Sequence, residues 1–61
     1  MDFKTTVNKT TNKKTYFIDN KRVSFDKFDE KQIICKLKGL SYNSSLTISN
    51  KKYIYHYFSF N

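Results

Sequence analysis

Proline and tryptophan are missing from this 61-residue chain, and glycine, cysteine and histidine occur once each. Each shortage excludes something. With no proline and only Gly39, a long flexible linker is not expected. A lone cysteine, Cys35, cannot form an internal disulfide. With His56 it falls short of the four-ligand sets that hold structural zinc. There is no glycine-rich phosphate loop. No apolar run approaches the roughly 20 residues of a transmembrane helix. The opening MDFKTTVNKT has no apolar h-region of a secretory signal. An unpaired cysteine suits a reducing compartment, so the expected location is intracellular, with no membrane partner.

Acidic residues are also scarce. Five Asp and Glu stand against twelve Lys and Arg, giving a net charge of +7 and a pI near 9.7. Such a balance attracts nucleic acid, an acidic protein surface or an anionic membrane, and says nothing about fold. The length allows one small domain, residues 1–61, and a chain this short buries only about 60% of its unfolded surface. Without disulfide or metal, stability has to come from dense packing or oligomerisation. The sequence does offer rings, with five Tyr and six Phe, each able to bury about 150–250 Å².

Alternating apolar and polar residues predict strands. DFKTTV places Phe3, Thr5 and Val7 on one face, and NKTTN follows as a loop. KTYFID places Tyr16 and Ile18 on one face and Phe17 on the other. Asp19, Asn20 and Lys21 then make a tight turn into RVSF. A helix beginning at Phe25 follows from three cues: Ser24 as N-cap, Asp26 and Asp29 near the positive end of the dipole, and Val23 with Phe28 as a hydrophobic staple. Its end has two readings. A long helix runs to Lys38 with Gly39 as a left-handed C′ residue, but it scatters Phe25, Phe28 and Cys35 to one side and Ile33, Ile34 and Leu37 to the other. A short helix to Lys31 followed by a strand QIICKLK keeps a single apolar face, and this is the preferred reading. SYNSS then reads as a turn, LTIS as a strand, NKK as a turn and YIYHYFSF as the last strand. The expected fold is α+β, a mainly antiparallel sheet of about five strands with one short helix.

No catalytic constellation stands out. Cys35 and His56, with Asp19 to orient the ring, are the only conceivable nucleophile set. Cys35 reads more simply as a small buried hydrophobe and His56 as a strand residue beside Ile54, Phe58 and Phe60. Asp26, Asp29 and Glu30 are explained by the helix start. The expectation is no enzyme, no catalytic residue, no metal and no cofactor.

The cations gather in predicted turns: Lys9, Lys13 and Lys14 in the first, Lys21 and Arg22 in the second, Lys51 and Lys52 in the last. Alternate turns of a meander share one end of a sheet, so the first and last groups form one patch if the strand order permits. Otherwise they are a solvated lysine surface. Lysine contacts phosphate as a point charge, whereas base edges are read mainly by arginine. Nucleic-acid binding by this set would follow the backbone and depend strongly on salt.

As a strand, the closing segment splits into an Ile54, His56, Phe58, Phe60 face and a Tyr53, Tyr55, Tyr57, Ser59 face. Tyrosines beside basic residues suit base stacking, protein contact, or plain strand structure. Edge strands normally carry charge or proline, and this one has neither. It is expected inside the sheet, or paired with a second copy as a homodimer through residues 53–60.

The stretch YFIDNKRVSFDKF, Tyr16 to Phe28, resembles a hairpin-then-helix element of small phage and mobile-element accessory proteins, with Asn20 where glycine is usual. The resemblance implies a stand-alone protein in the cytoplasm of a host cell that binds and inhibits a host factor, as anti-CRISPR proteins do. At +7 it would not imitate DNA. It would grip an acidic protein or nucleoprotein surface, or the nucleic acid itself. The candidate contact residues are Lys13, Lys14, Lys21, Arg22, Lys51, Lys52, Tyr53, Tyr55 and Tyr57. The alternative is a small basic module that holds phosphates with Lys and stacks bases on Tyr.

Overall fold

In the computed structural model, which describes residues 1–61 apart from the side chain of Ser45, the alternating stretches are strands. The order along the chain is β1 (Asp2–Asn8), β2 (Lys14–Ile18), β3 (Lys21–Val23), α1 (Phe25–Leu37), β4 (Tyr42–Ser49) and β5 (Tyr53–Phe60). The five strands make one antiparallel sheet in the order β3-β2-β1-β5-β4. This is the expected α+β fold, mainly sheet with one helix.

The β2–β3 connection is a two-residue turn. Ile18 pairs with Lys21, and Asp19 (φ 48°) and Asn20 (φ 67°) between them are both left-handed. That is the type I′ geometry whose twist matches a hairpin. The Asp19 carboxylate also accepts the backbone N–H of Asp2 at 2.9 Å, which ties the turn to the start of β1.

The helix starts where its caps say. Ser24 is extended, and its hydroxyl accepts the Lys27 N–H at 3.3 Å. Its end corrects the preferred sequence reading. The helix continues to Leu37, and no strand forms over QIICKLK. Lys38 is the C-cap and Gly39 takes φ +74°. The Gly39 N–H donates to the Lys36 carbonyl at 3.0 Å and the Leu40 N–H to the Cys35 carbonyl at 3.1 Å. This bond pair is a Schellman motif and satisfies carbonyls that the helix end would leave open. The chain accepts the scattered apolar pattern at a cost in exposed surface: Ile33 is 50% and Leu37 82% exposed.

One face of the sheet carries the core. Phe3, Ile18, Phe58 and Phe60 meet Phe28 and Cys35 of the helix, two turns apart on one side, and Tyr16 and Val23 pack against them. Phe3 is the centre. It stacks on Phe58 (5.1 Å, 2°) and meets Phe28 and Phe60 edge-on at 5.4 and 5.6 Å. Such ring pairs add about 0.5–1.5 kcal/mol each beyond their area burial.

Two further expectations are corrected. SYNSS is not a turn, because β4 begins at Tyr42 and shifts register between Ser44 and Leu46. Strand 53–60 is also not a dimer edge. β1 and β4 occupy its two hydrogen-bonding sides, so a second copy cannot pair there. The other half of that expectation holds: β5 lies inside the sheet.

Candidate nucleic-acid interface

Asparagine side chains shape both turns at one end of the sheet. Asn8 Oδ1 accepts the Thr10 and Thr11 N–H groups at 2.9 and 3.2 Å. Asn12, at φ 59°, returns its N–H to the Asn8 carbonyl at 2.7 Å. In the β4–β5 turn, Asn50 Oδ1 accepts the Lys52 and Tyr53 N–H groups at 2.9 and 2.7 Å. In both cases an asparagine saturates the turn backbone and leaves the lysines to carry the surface.

Because β1 pairs with β5, these turns are neighbours. Asn8 stands opposite Tyr53, and the Lys9 N–H donates to the Lys52 carbonyl at 2.8 Å. Lys9, Lys13, Lys14, Lys51 and Lys52 therefore share one end of the sheet. No acidic residue occurs in either turn; Asp2, Asp19, Asp26, Asp29 and Glu30 all lie elsewhere in the chain. The first and last cation groups are one patch.

The face opposite the helix starts from this end. Register places Tyr53, Tyr55 and Tyr57 of β5 there, with Asn8, Thr6 and Lys4 beside them on β1 and Ile48 and Leu46 on the β4 side. Phe17 lies across from Lys4, and Arg22 across from Phe17. The Lys4 ammonium sits 4.3 Å from the Phe17 ring centroid, a cation–π distance. The Tyr53 and Tyr55 rings are 5.9 Å apart and tilted by 34°. Among the described residues, no secondary-structure element lies over this face, since the one helix packs on the other. Tyr53 is exposed, and Tyr55, Tyr57, Phe17 and Lys4 are half-buried by their sheet neighbours.

No protein-family model matches the chain, and no curated protein or solved structure matches it.

The remaining sequence candidates separate. Arg22 belongs with the tyrosine face by register, at its β3 edge. Lys21 faces the helix side and, with Lys27, Lys31 and Asp19, lines a cleft of about 460 Å³ between the β2–β3 hairpin and α1. It does not join the lysine end. Cys35 is in the core, whereas the His56 ring lies on Phe58 at 5.7 Å with Nδ1 2.9 Å from the Thr47 hydroxyl.

Sequence reasoning does not place Lys4, Phe17, Leu46 and Ile48 with the tyrosines. A signal for Lys4 and Phe17 is present, since both alternate with core residues, Lys4 with Phe3 and Phe17 with Tyr16 and Ile18. Nothing in the sequence reveals which strands neighbour β5.

Proposed function

We propose that this protein is a non-enzymatic binding module for single-stranded nucleic acid. The observation that carries the reading is the strand order. It brings the lysine end and the uncovered tyrosine face together at Tyr53. A strand would run from the lysine end, where Lys9, Lys51 and Lys52 take phosphates, across Tyr53 and Tyr55. Alternate side chains on one strand face repeat every ~6.8 Å, a spacing at which successive bases can each meet a ring. Stacking contributes about 1–3 kcal/mol per base and tolerates any sequence. Lysine-dominated phosphate contact makes the affinity fall steeply with salt.

A second reading is an inhibitor or adaptor on an acidic protein or nucleoprotein face, of the phage accessory type. It is favoured by Leu46 and Ile48, exposed at 53% and 44% beside Tyr57 and Tyr55. Bases have no need of these aliphatic side chains, and protein interfaces use them.

Fluorescence anisotropy with labelled single- and double-stranded oligonucleotides over a salt series tests the first reading. Tight, sequence-tolerant single-strand binding at about 50 mM salt, weakening steeply as salt rises, is expected. No binding at that salt ends the proposal. Capture from lysate with and without nuclease then tests the second, which expects a protein that stays bound after digestion.

A further inference from the structure

The sheet has two edges, and they differ. The β3 edge is three residues long, carries Lys21 and Arg22, and leads directly into the helix. Charge and brevity protect it. The β4 edge is eight residues long, YNSSLTIS, with no charged residue and no proline. Among the described residues its one blunting device is the register shift between Ser44 and Leu46, which leaves Leu46–Ser49 regular.

The hydrogen-bonding phase of β4 can be read from its turn. The Asn50 N–H donates to the Tyr53 carbonyl at 2.9 Å, so Asn50 and Tyr53 form a bonded pair. Bonded and non-bonded pairs alternate along an antiparallel ladder. Ile48–Tyr55 is then bonded, and Ser49–Ile54 and Thr47–His56 are not. Side chains approach more closely in non-bonded pairs, as the 2.9 Å contact between Thr47 Oγ1 and His56 Nδ1 illustrates. The backbone N–H and C=O of Thr47 and Ser49 therefore point out of the sheet at its free edge.

We infer that β4 pairs antiparallel with β4 of a second copy about a two-fold axis at Thr47, joining two sheets into one. The two Thr47 residues exchange backbone hydrogen bonds in this register. Leu46 comes opposite Ile48 of the second copy on the tyrosine side, so all four exposed aliphatic side chains cover one another. The regular segment Leu46–Ser49 carries no charge, and Lys51 lies beyond it in the turn, so no lysine faces a lysine. The two Lys51 residues are eight positions apart along the ladder, roughly 27 Å, well beyond the Debye length of about 8 Å at physiological salt. A chain of net charge +7 thus meets its copy along its uncharged edge. The inference is independent of nucleic-acid binding across Tyr53 and Tyr55, and it competes with a protein partner for Leu46 and Ile48.

Sedimentation velocity from about 10 µM to about 1 mM, without nucleic acid, tests it. The expected result is a concentration-dependent monomer–dimer equilibrium, abolished in Thr47→Pro, which removes an N–H that the monomer's own ladder does not use. Thr47→Cys supplies a second readout under mild oxidation. A bonded antiparallel pair sets Cα atoms about 5.5 Å apart, within disulfide range, so a dimer should appear on a non-reducing gel that wild type does not give. A wild-type monomer throughout the range overturns the inference. So does a dimer that a folded Thr47→Pro leaves intact, or one that Thr47→Cys fails to cross-link.

Discussion

Lys9 donates its backbone N–H to the carbonyl of Lys52 at 2.8 Å. Two turns from opposite parts of the sequence are stitched together, and each brings lysines. The patch is a consequence of β1 lying next to β5, so its effect on a polyanion can be tested from either turn.

Replacing Lys51 and Lys52 with Glu should lower single-strand affinity by about tenfold or more near 50 mM salt. The log–log salt slope should become shallower by about 0.7 for each phosphate no longer neutralised. Lys13→Glu with Lys14→Glu should act in the same direction from the other turn. Anisotropy titrations at several salt concentrations measure both. An unchanged slope would remove the lysine end from the interface.

Tyr53→Ala should weaken single-strand binding by about 1–3 kcal/mol, roughly 5- to 150-fold, while affecting duplex binding little. The ring is exposed, so the melting temperature should change little. Parallel titrations and a thermal scan of the same variant separate a defect in stacking from a defect in folding.

Phe3→Ala removes the ring on which Phe28, Phe58 and Phe60 converge. A loss of about 3–5 kcal/mol is expected, comparable with the whole stability of a small domain. The near-ultraviolet circular dichroism of the tyrosines should collapse at 25 °C. Leu37→Ala, at a site 82% exposed, should stay within about 0.5 kcal/mol of wild type in urea.

Gly39→Ala isolates a backbone cost. An added methyl would meet nothing within 4 Å, yet φ +74° disfavours any residue with a Cβ by about 1–2 kcal/mol. Ser24→Ala should lose about 1 kcal/mol through the N-cap. The two sites lie at opposite ends of α1, so the double variant should be additive in urea denaturation.

The strands are legible in the sequence wherever one face is buried. Phe3 alternates with Lys4, and Phe58 and Phe60 alternate with Tyr57 and Ser59, because a sheet side chain has only two directions to point. The helix end misleads for a physical reason. A small sheet fully buries only Phe28 and Cys35 of α1, so Ile33 and Leu37 stay outside the core, and a single apolar stripe is the wrong thing to require. Gly39 holds the correct signal. β4 is only partly visible because an edge strand buries little: Asn43 and Ser44 are held in the ladder opposite β5, which leaves no trace in hydropathy, and the register shift disturbs the alternation. The tyrosine face is visible as a row on one strand. Its neighbours are not, because strand order is a long-range property.

β1 sits in the middle of the sheet, yet its β5 neighbour is made from residues 53–60. A ribosome delivering about 5–20 residues per second produces Phe3 roughly 3 to 11 s before Phe58. During that interval the β2–β3 hairpin and then α1 are synthesised, while the inner side of β1 still waits for its partner strand. The core, which needs Phe58 and Phe60, therefore closes only after nearly the whole of this segment has been synthesised.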